Sequence, residues 1–461
     1  MASNDGGIRI IKKLKIDNAL AFHQFASVFN LSNACKATRS YVERCFTVLV
    51  ETENFLELNF ALLLKILASS ELLITSEREV LDATIKWLRY DFEGRGEFGS
   101  KLLQKVRLHL LFDKMPERLE SSSPSKADEN NKFNEMLREA YERNATAGRN
   151  SRYCSQNSFQ VLVCGGMPNH DHLTETYPDA YARQLSLSDL NLEADVLPPM
   201  KSERRLFEAV WSKGDVYVFG GVPSGHGGVK RVEKYSQATG RWTDVAVMAD
   251  RRQRFCACAF ADKIFIFGGN DEDCCSTDFE NLGRSCLEFD TKSRRFEEKA
   301  RMQWLKFEAA CAVFNERLVV CGGNNFGGFF GTRCVESYDV TRNEWTEMAD
   351  MTSPRHRHSA VVVGSKLFAV GGGYGYIPCE VYDSQSESFV GLTGKWPEKW
   401  PCEVCDALAV GRKIFVFDKL YSVVDVYDVD KDEWSREACK EIRGKRRGFS
   451  CVKLPILDKK N

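Results

Sequence analysis

The chain has 461 residues, enough for two or three domains with a large apolar core. Lys and Arg total 64 against 65 Asp and Glu, a formal charge of −1. That balance excludes a general nucleic-acid binder, whose phosphate contacts need a basic excess. The one short basic run, KEIRGKRRGF at 440–449, reads as a solvated surface.

The N-terminal stretch MASNDGGIRIIKKLKIDNAL has no signal-peptide core, because Lys12, Lys13 and Lys15 interrupt its apolar residues. No run approaches the ~18 apolar residues of a membrane span; even ALLLKILA is broken by Lys65. A cytoplasmic location is therefore expected, with the seventeen cysteines as reduced thiols and no use for the sequons at Asn30 and Asn144. Cys402 and Cys405 form a CxxC without a second pair to complete four ligands, so no metal or other cofactor is expected.

Residues 17–145 have a helical texture, after an N-terminal segment at 1–16. NALAFHQFASVFNLSNACKATRSYV reads as a helix pair and FLELNFALLLKILASSELL as an apolar helix. In SEREVLDATIKWLRYD, Val80, Thr84, Trp87 and Leu88 share one helical face, and Ser76 with Glu79 makes a capping box. ESSSPSKADENNK at 120–132 fits an exposed loop, and FNEMLREAYERN a last helix. A linker is expected at 146–156.

From residue 157 the pattern changes to a repeat. An apolar strand running into two glycines ends at Gly166, Gly221, Gly269, Gly323 and Gly372, and a sixth strand, KIFVFDK, ends without them. No helix cap and no GK[ST] follows any diglycine, so a phosphate loop is excluded and the glycines are architectural. In fixed phase come aromatic pairs seven residues apart: Tyr235/Trp242, Phe289/Phe296, Tyr338/Trp345, Tyr382/Phe389 and Tyr427/Trp434. Each unit reads as four short strands, such as CVESYDV, EWTEMA, HSAVVVG and KLFAVGG. A period near 50 residues with four strands each indicates a propeller. FQVLVCGG lacks a preceding strand, and RRGFSCVKL at 446–454 resembles the missing one, so the C-terminus is expected to complete the first blade.

These markers resemble the Kelch repeat over residues 157–455, implying a six-bladed propeller followed by a tail at 456–461. TENFLELNFALLLKILASSELLITSEREVLDATIKWLRYD resembles the BACK domain of the BTB–BACK–Kelch family, and KVRLHLL at 105–111 falls where that resemblance implies a further helix. The fold expected is thus an all-α BACK domain followed by an all-β propeller. The family usually carries a BTB domain first, which dimerises and supplies most of the cullin-3 contact. Only sixteen residues precede Asp17, so a chain lacking that domain is expected, with a weakened cullin-3 contact through the helix pair at 18–44.

The resemblance implies a substrate receptor akin to the adaptors of cullin-3 ubiquitin ligases; the alternative is an actin-associated scaffold without ligase function. In the family, loop arginines often hold acidic peptides by charge-assisted hydrogen bonds. Arg254 and Arg357 match that place, each fourteen residues before a diglycine, with Arg205 and Arg447 as weaker matches. Glu308 and Val404 stand at the same offset in two other repeats. Asn270 and Asn324 directly follow diglycines, and Phe326 and Tyr374 lie close behind, at the same mouth. For each arginine the alternative role is pairing with a neighbouring loop carboxylate. Two long loops begin at Met167 and Asn270. His356 and His358 have a spacing that could suit a metal but no third partner, and no hydrolase, zincin or Walker motif occurs, so no catalysis is expected.

Overall fold

The structure, a computed structural model, describes residues 16–29, 32–69, 72, 74, 77–108, 127–144, 159–165, 167–168, 182–186, 194–223, 228–261, 263–271, 279–325, 331–373, 379–384, 386–394, 405–418, 423–438, 446–447 and 450–455. They fall into two compact units, divided at Ser158 and again at Leu454.

The first unit is helical. Ile16–Val28 and Ser32–Arg44 form the anticipated pair, tied by His23 Nδ1 at 2.9 Å from the Thr38 hydroxyl. The stretch anticipated as one apolar helix from Phe55 is two, Glu53–Leu56 and Phe60–Leu67. The break is local chemistry: Asn59 accepts the Leu62 N–H at 2.9 Å and so caps a fresh helix. Helix Glu77–Tyr90 buries Val80, Thr84, Trp87 and Leu88, and the Trp87 indole donates to the Leu58 carbonyl at 2.9 Å. Ser76 lies outside the described residues. Residues 105–107 form a turn instead of the anticipated helix, and 109–111 lie outside the described residues. The last helix, Ala127–Asn144, begins inside the anticipated loop. One apolar core runs from Ala19 to Ala140.

The second unit is built of six four-stranded antiparallel sheets. Five are contiguous in sequence: 208–247, 256–298, 310–348, 359–391 and 405–438. Their first strands lie innermost and pack against one another around a common axis, which makes the unit a β-propeller. The remaining sheet joins Phe159–Cys164, Ala182–Ser186 and Ala194–Val196 to Ser450–Pro455, so the chain's last strand completes its first sheet, as the unpartnered FQVLVCGG strand implied. Sequence repeat and sheet are out of phase. CVESYDV and EWTEMA are the outer strands of one sheet, and HSAVVVG and KLFAVGG are the inner strands of the next.

Each aromatic pair faces across its two outer strands, with ring centroids 4.8–5.2 Å apart. The same rings also fill the seams between sheets. Phe219 meets Phe289 at 5.4 Å, Phe265 meets Tyr338 at 6.1 Å, Phe314 meets Tyr382 at 5.8 Å, and Phe368 meets Tyr427 at 6.2 Å. Such contacts add about 0.5–1.5 kcal/mol each beyond the area they bury.

The diglycines hold the seams at backbone level. The second glycine donates its N–H to a carbonyl of the following sheet's first segment: Gly221 to Arg252 at 2.8 Å, Gly269 to Lys306 at 3.0 Å, Gly323 to Arg355 at 2.8 Å. At Gly268, φ is +61° and an added Cβ would fall 2.2 Å from the Lys306 carbonyl oxygen, so both the conformation and the space exclude a side chain.

The residues that supply these carbonyls carry buried cations, and each turns back on its own sheet. Arg204, Arg252 and Arg355 donate to the first-glycine carbonyl sixteen positions on, at 3.0, 2.7 and 2.7 Å, and Lys306 reaches its counterpart at 3.4 Å. Three of them also pair with a carboxylate two residues before the sheet's first aromatic: Arg204 with Glu233 at 2.5 Å, Lys306 with Glu336 at 3.6 Å, Arg355 with Glu380 at 2.7 Å. In the third sheet the carboxylate position is Leu287, and Arg252 is left with the Gly268 carbonyl and the Ser285 hydroxyl. Burial there pushes the Arg252 guanidinium down to about 10.

Two outcomes are expected. Ending the chain before Arg446 removes the closing strand and exposes an edge of the first sheet, so the truncated protein melts well below the full chain; equal melting temperatures would refute the closure. Arg355→Met strands the fully buried Glu380 and costs about 3–5 kcal/mol, whereas Arg252→Met strands no carboxylate and costs less, about 1–3 kcal/mol. Denaturant unfolding of the two variants checks the order.

Candidate functional site

Two residues after each of these cations, the chain adopts a left-handed conformation at a non-glycine position. Leu206, Arg254, Glu308 and Arg357 have φ of 55°, 56°, 53° and 54°. They occupy equivalent places in four successive sheets, each fourteen residues before a diglycine. Hydrogen bonds chain them together: Arg254 N–H donates to the Leu206 carbonyl at 3.2 Å, Glu308 to Arg254 at 2.7 Å, and Arg357 to Glu308 at 2.8 Å. Left-handed φ at a bulky residue is sparsely populated and persists where surrounding contacts over-determine it; such positions cluster at binding sites.

The ring brings three of these side chains together. The Glu308 Oε1 receives the Nε edges of both Arg357, at 2.8 Å, and Arg254, at 3.4 Å. Its Oε2 accepts from the Asn324 amide at 3.0 Å and lies 3.3 Å from His356 Nδ1. Glu308 is 8% exposed. Its burial alone would raise the carboxyl's pKa, but His356, Arg357 and Arg254 together hold it below the ordinary value. The arginine side chains themselves remain 40% and 34% exposed, at Arg254 and Arg357 respectively. Both therefore do pair with a carboxylate, one shared between them, while their outer faces stay open to solvent.

The other anticipated residues take different places. Arg205 sits one position earlier in its ring segment than Arg254 does; its backbone bridges Val222, as Gln253 bridges Asn270 and Phe307 bridges Asn324. Asn270 is buried, 7% exposed, and its Oδ1 has no hydrogen-bond partner among the described residues; the Asn324 Oδ1 also has none. Arg447 is placed by its backbone, which pairs with Met167. Phe326, Tyr374 and Val404 lie outside the described residues, as does most of the two long loops. His356 and His358 do not converge, since His358 Nε2 turns to the Cys321 thiol at 3.4 Å and His356 to Glu308.

Sequence reasoning missed the Arg204, Lys306 and Arg355 cations and their partners Glu233, Glu336 and Glu380. The signal was present as two fixed offsets: a cation sixteen residues before the first glycine, and an acid two before the first aromatic.

Residues 19–119 match the family described as BACK, "BTB And C-terminal Kelch". Two overlapping segments, 151–372 and 206–418, match the KLHDC2/KLHL20/DRC7 Kelch-repeats domain and together span more than half of the chain. This is a BACK–Kelch protein, and the chain belongs to the Kelch-like family. It is similar to Kelch-like protein 7 of Rattus norvegicus, 25% identical over 94% of this chain and 74% of that protein. Kelch-like protein 25 of Xenopus tropicalis is likewise 25% identical, over 79% of this chain and 70% of its own length. Kelch repeat and BTB domain-containing protein 2 of Homo sapiens is 22% identical over 97% and 65%.

His358 yields a pH prediction. Burial, with Arg355, His356 and Lys306 nearby, pushes the imidazole well below its usual value. A base that protonates more readily unfolded than folded gives stability that is full above about pH 6.5 and is lost as pH falls below it. His358→Phe should flatten this loss without disrupting packing, because Phe207 and Phe255 hold the equivalent positions against Gly165 and Gly220. Denaturant unfolding from pH 7.5 to 5 checks it; equal slopes for both proteins would refute it.

Proposed function

We propose that the chain is a substrate-recognition protein, acting in the cytoplasm as an adaptor of a cullin-3 ubiquitin ligase, whose six sheets work as one six-bladed ring presenting its mouth to an acidic segment of a protein partner. The observation that carries this is the pair of partly exposed arginine side chains, Arg254 and Arg357, held at equivalent ring positions two sheets apart. Arg205, Arg447, Asn270, Asn324, Phe326 and Tyr374 are the further mouth residues in this reading. Planar guanidiniums are suited to carboxylates by geometry as well as charge.

The helix pair of the first unit is the proposed side for the ligase. Phe25 and Phe29 stand 54% and 60% exposed there with their rings 4.5 Å apart, an apolar pair open to a helix of another protein. Among the described residues no helix is long and apolar enough to cross a membrane. Catalysis forms no part of the reading.

Affinity purification of the full chain with mass spectrometry, repeated with Arg254→Ala and Arg357→Ala, tests it. The expected result is a captured partner that binds each variant on the order of ten- to a hundredfold more weakly, as loss of a charge-assisted contact of about 1.5–3 kcal/mol implies, with the melting temperature little changed. Arg357→Lys should recover only part of the binding, since it keeps the charge and loses the fork. Wild-type affinity in both alanine variants, or co-sedimentation with filamentous actin and no ligase component, would sink the reading.

A further inference from the structure

Glu308 is the acidic member of a ring position that carries arginine on either side. Both of its oxygens are engaged within the ring: Oε1 is ion-paired with the two arginine Nε groups, and Oε2 meets Asn324 and His356. Buried among these groups, it is screened from an incoming cation. It does two things to the arginines. It ties both by their Nε atoms to one oxygen, and it cancels one of their two charges. The triad Arg254–Glu308–Arg357 carries a net formal charge of +1.

Resting on the reading of the mouth as an acidic-peptide site, we propose that Glu308 is its specificity-determining residue, matching the site to a single carboxylate side chain, Asp or Glu, in preference to a phosphorylated side chain. The attraction an anion feels grows in proportion to its charge, whereas the loss of its hydration grows roughly with the square of that charge. Against a net charge of +1, a carboxylate is matched, while a phosphate dianion gives up more hydration than the site returns. Removing the Glu308 charge doubles the net field and favours the dianion. Glu308 acts through the arginines, so it is a positioning and charge-setting residue, and its signature is a change of preference as opposed to a uniform loss.

The test uses the full chain and two fluorescein-labelled peptides, identical in a neutral Gly/Ser frame except for glutamate or phosphoserine at the central position. Both are titrated by fluorescence anisotropy at fixed ionic strength. The wild type is expected to favour the glutamate peptide, and Glu308→Gln to shift the ratio toward phosphoserine on the order of tenfold. Glu308→Leu should shift it the same way; it guards against a misfolded glutamine variant, since Leu206 holds the equivalent place with φ 55°. A wild type that prefers phosphoserine, or a ratio unmoved in both variants, overturns the proposal while leaving the acidic-peptide site standing. Undiminished binding of the glutamate peptide to an Arg254→Ala/Arg357→Ala double variant overturns the acidic-peptide reading itself, and this proposal with it.

Discussion

The bond on which the second unit depends is the one between a glycine N–H and a carbonyl of the next sheet. Gly221, Gly269 and Gly323 each make it, at 2.8–3.0 Å. A Cβ at these seams would overlap backbone oxygen, so the chain closes its sheets on one another only where no side chain intervenes. The acceptor residue then sends its own cationic side chain to the first-glycine carbonyl of its own sheet. Its backbone thus ties the sheet to the one before, while its side chain braces the sheet from within. The aromatic pairs widen that attachment into an apolar wall.

The mouth inherits its geometry from this seam. Arg204, Arg252, Lys306 and Arg355 are anchored under the glycines, and two positions further on lie the residues with positive φ. Because the anchor repeats, the left-handed residues repeat, and their side chains reach the same region from successive sheets. Arg254, Glu308 and Arg357 meet for that reason, although 103 positions separate the first from the last.

Much of this was legible in the sequence. The diglycines and aromatic pairs marked the propeller because each answers a demand that recurs in five of the six sheets: close backbone approach in one case, seam volume in the other. The Asp that follows the first aromatic in four of these sheets has a local use. Asp339 caps the turn to Thr341 and Arg342, and Asp428 the turn to Asp430 and Lys431. Where one strand unit ended and the next sheet began was not legible, since hydrophobic alternation looks the same within a sheet and across its boundary. The helix break at Asn59 was hidden by apolar residues on both sides, which a single capping side chain overrode. Arg254 and Arg357 were visible individually, but their sharing of one carboxylate was not. Glu308 stands in a separate repeat, and only the curvature of the ring makes it their neighbour.

The closing strand also sets an order of events in the making of the protein. Cys164 rests against the carbonyl of Ser450, a residue 286 positions later, and Ala209 and Asp406 bind the same short segment at Ser450 and Cys451. The helical unit has a core of its own that ends by Ala140, so it can form as soon as it leaves the ribosome. The first sheet of the propeller cannot, because its fourth strand is translated only after all five other sheets. Until then that sheet's edge waits open, and bringing together ends so far apart carries a loop-closure entropy and a slow step. The interval between first and last strand is the period in which the chain most needs protection from pairing with another copy of itself.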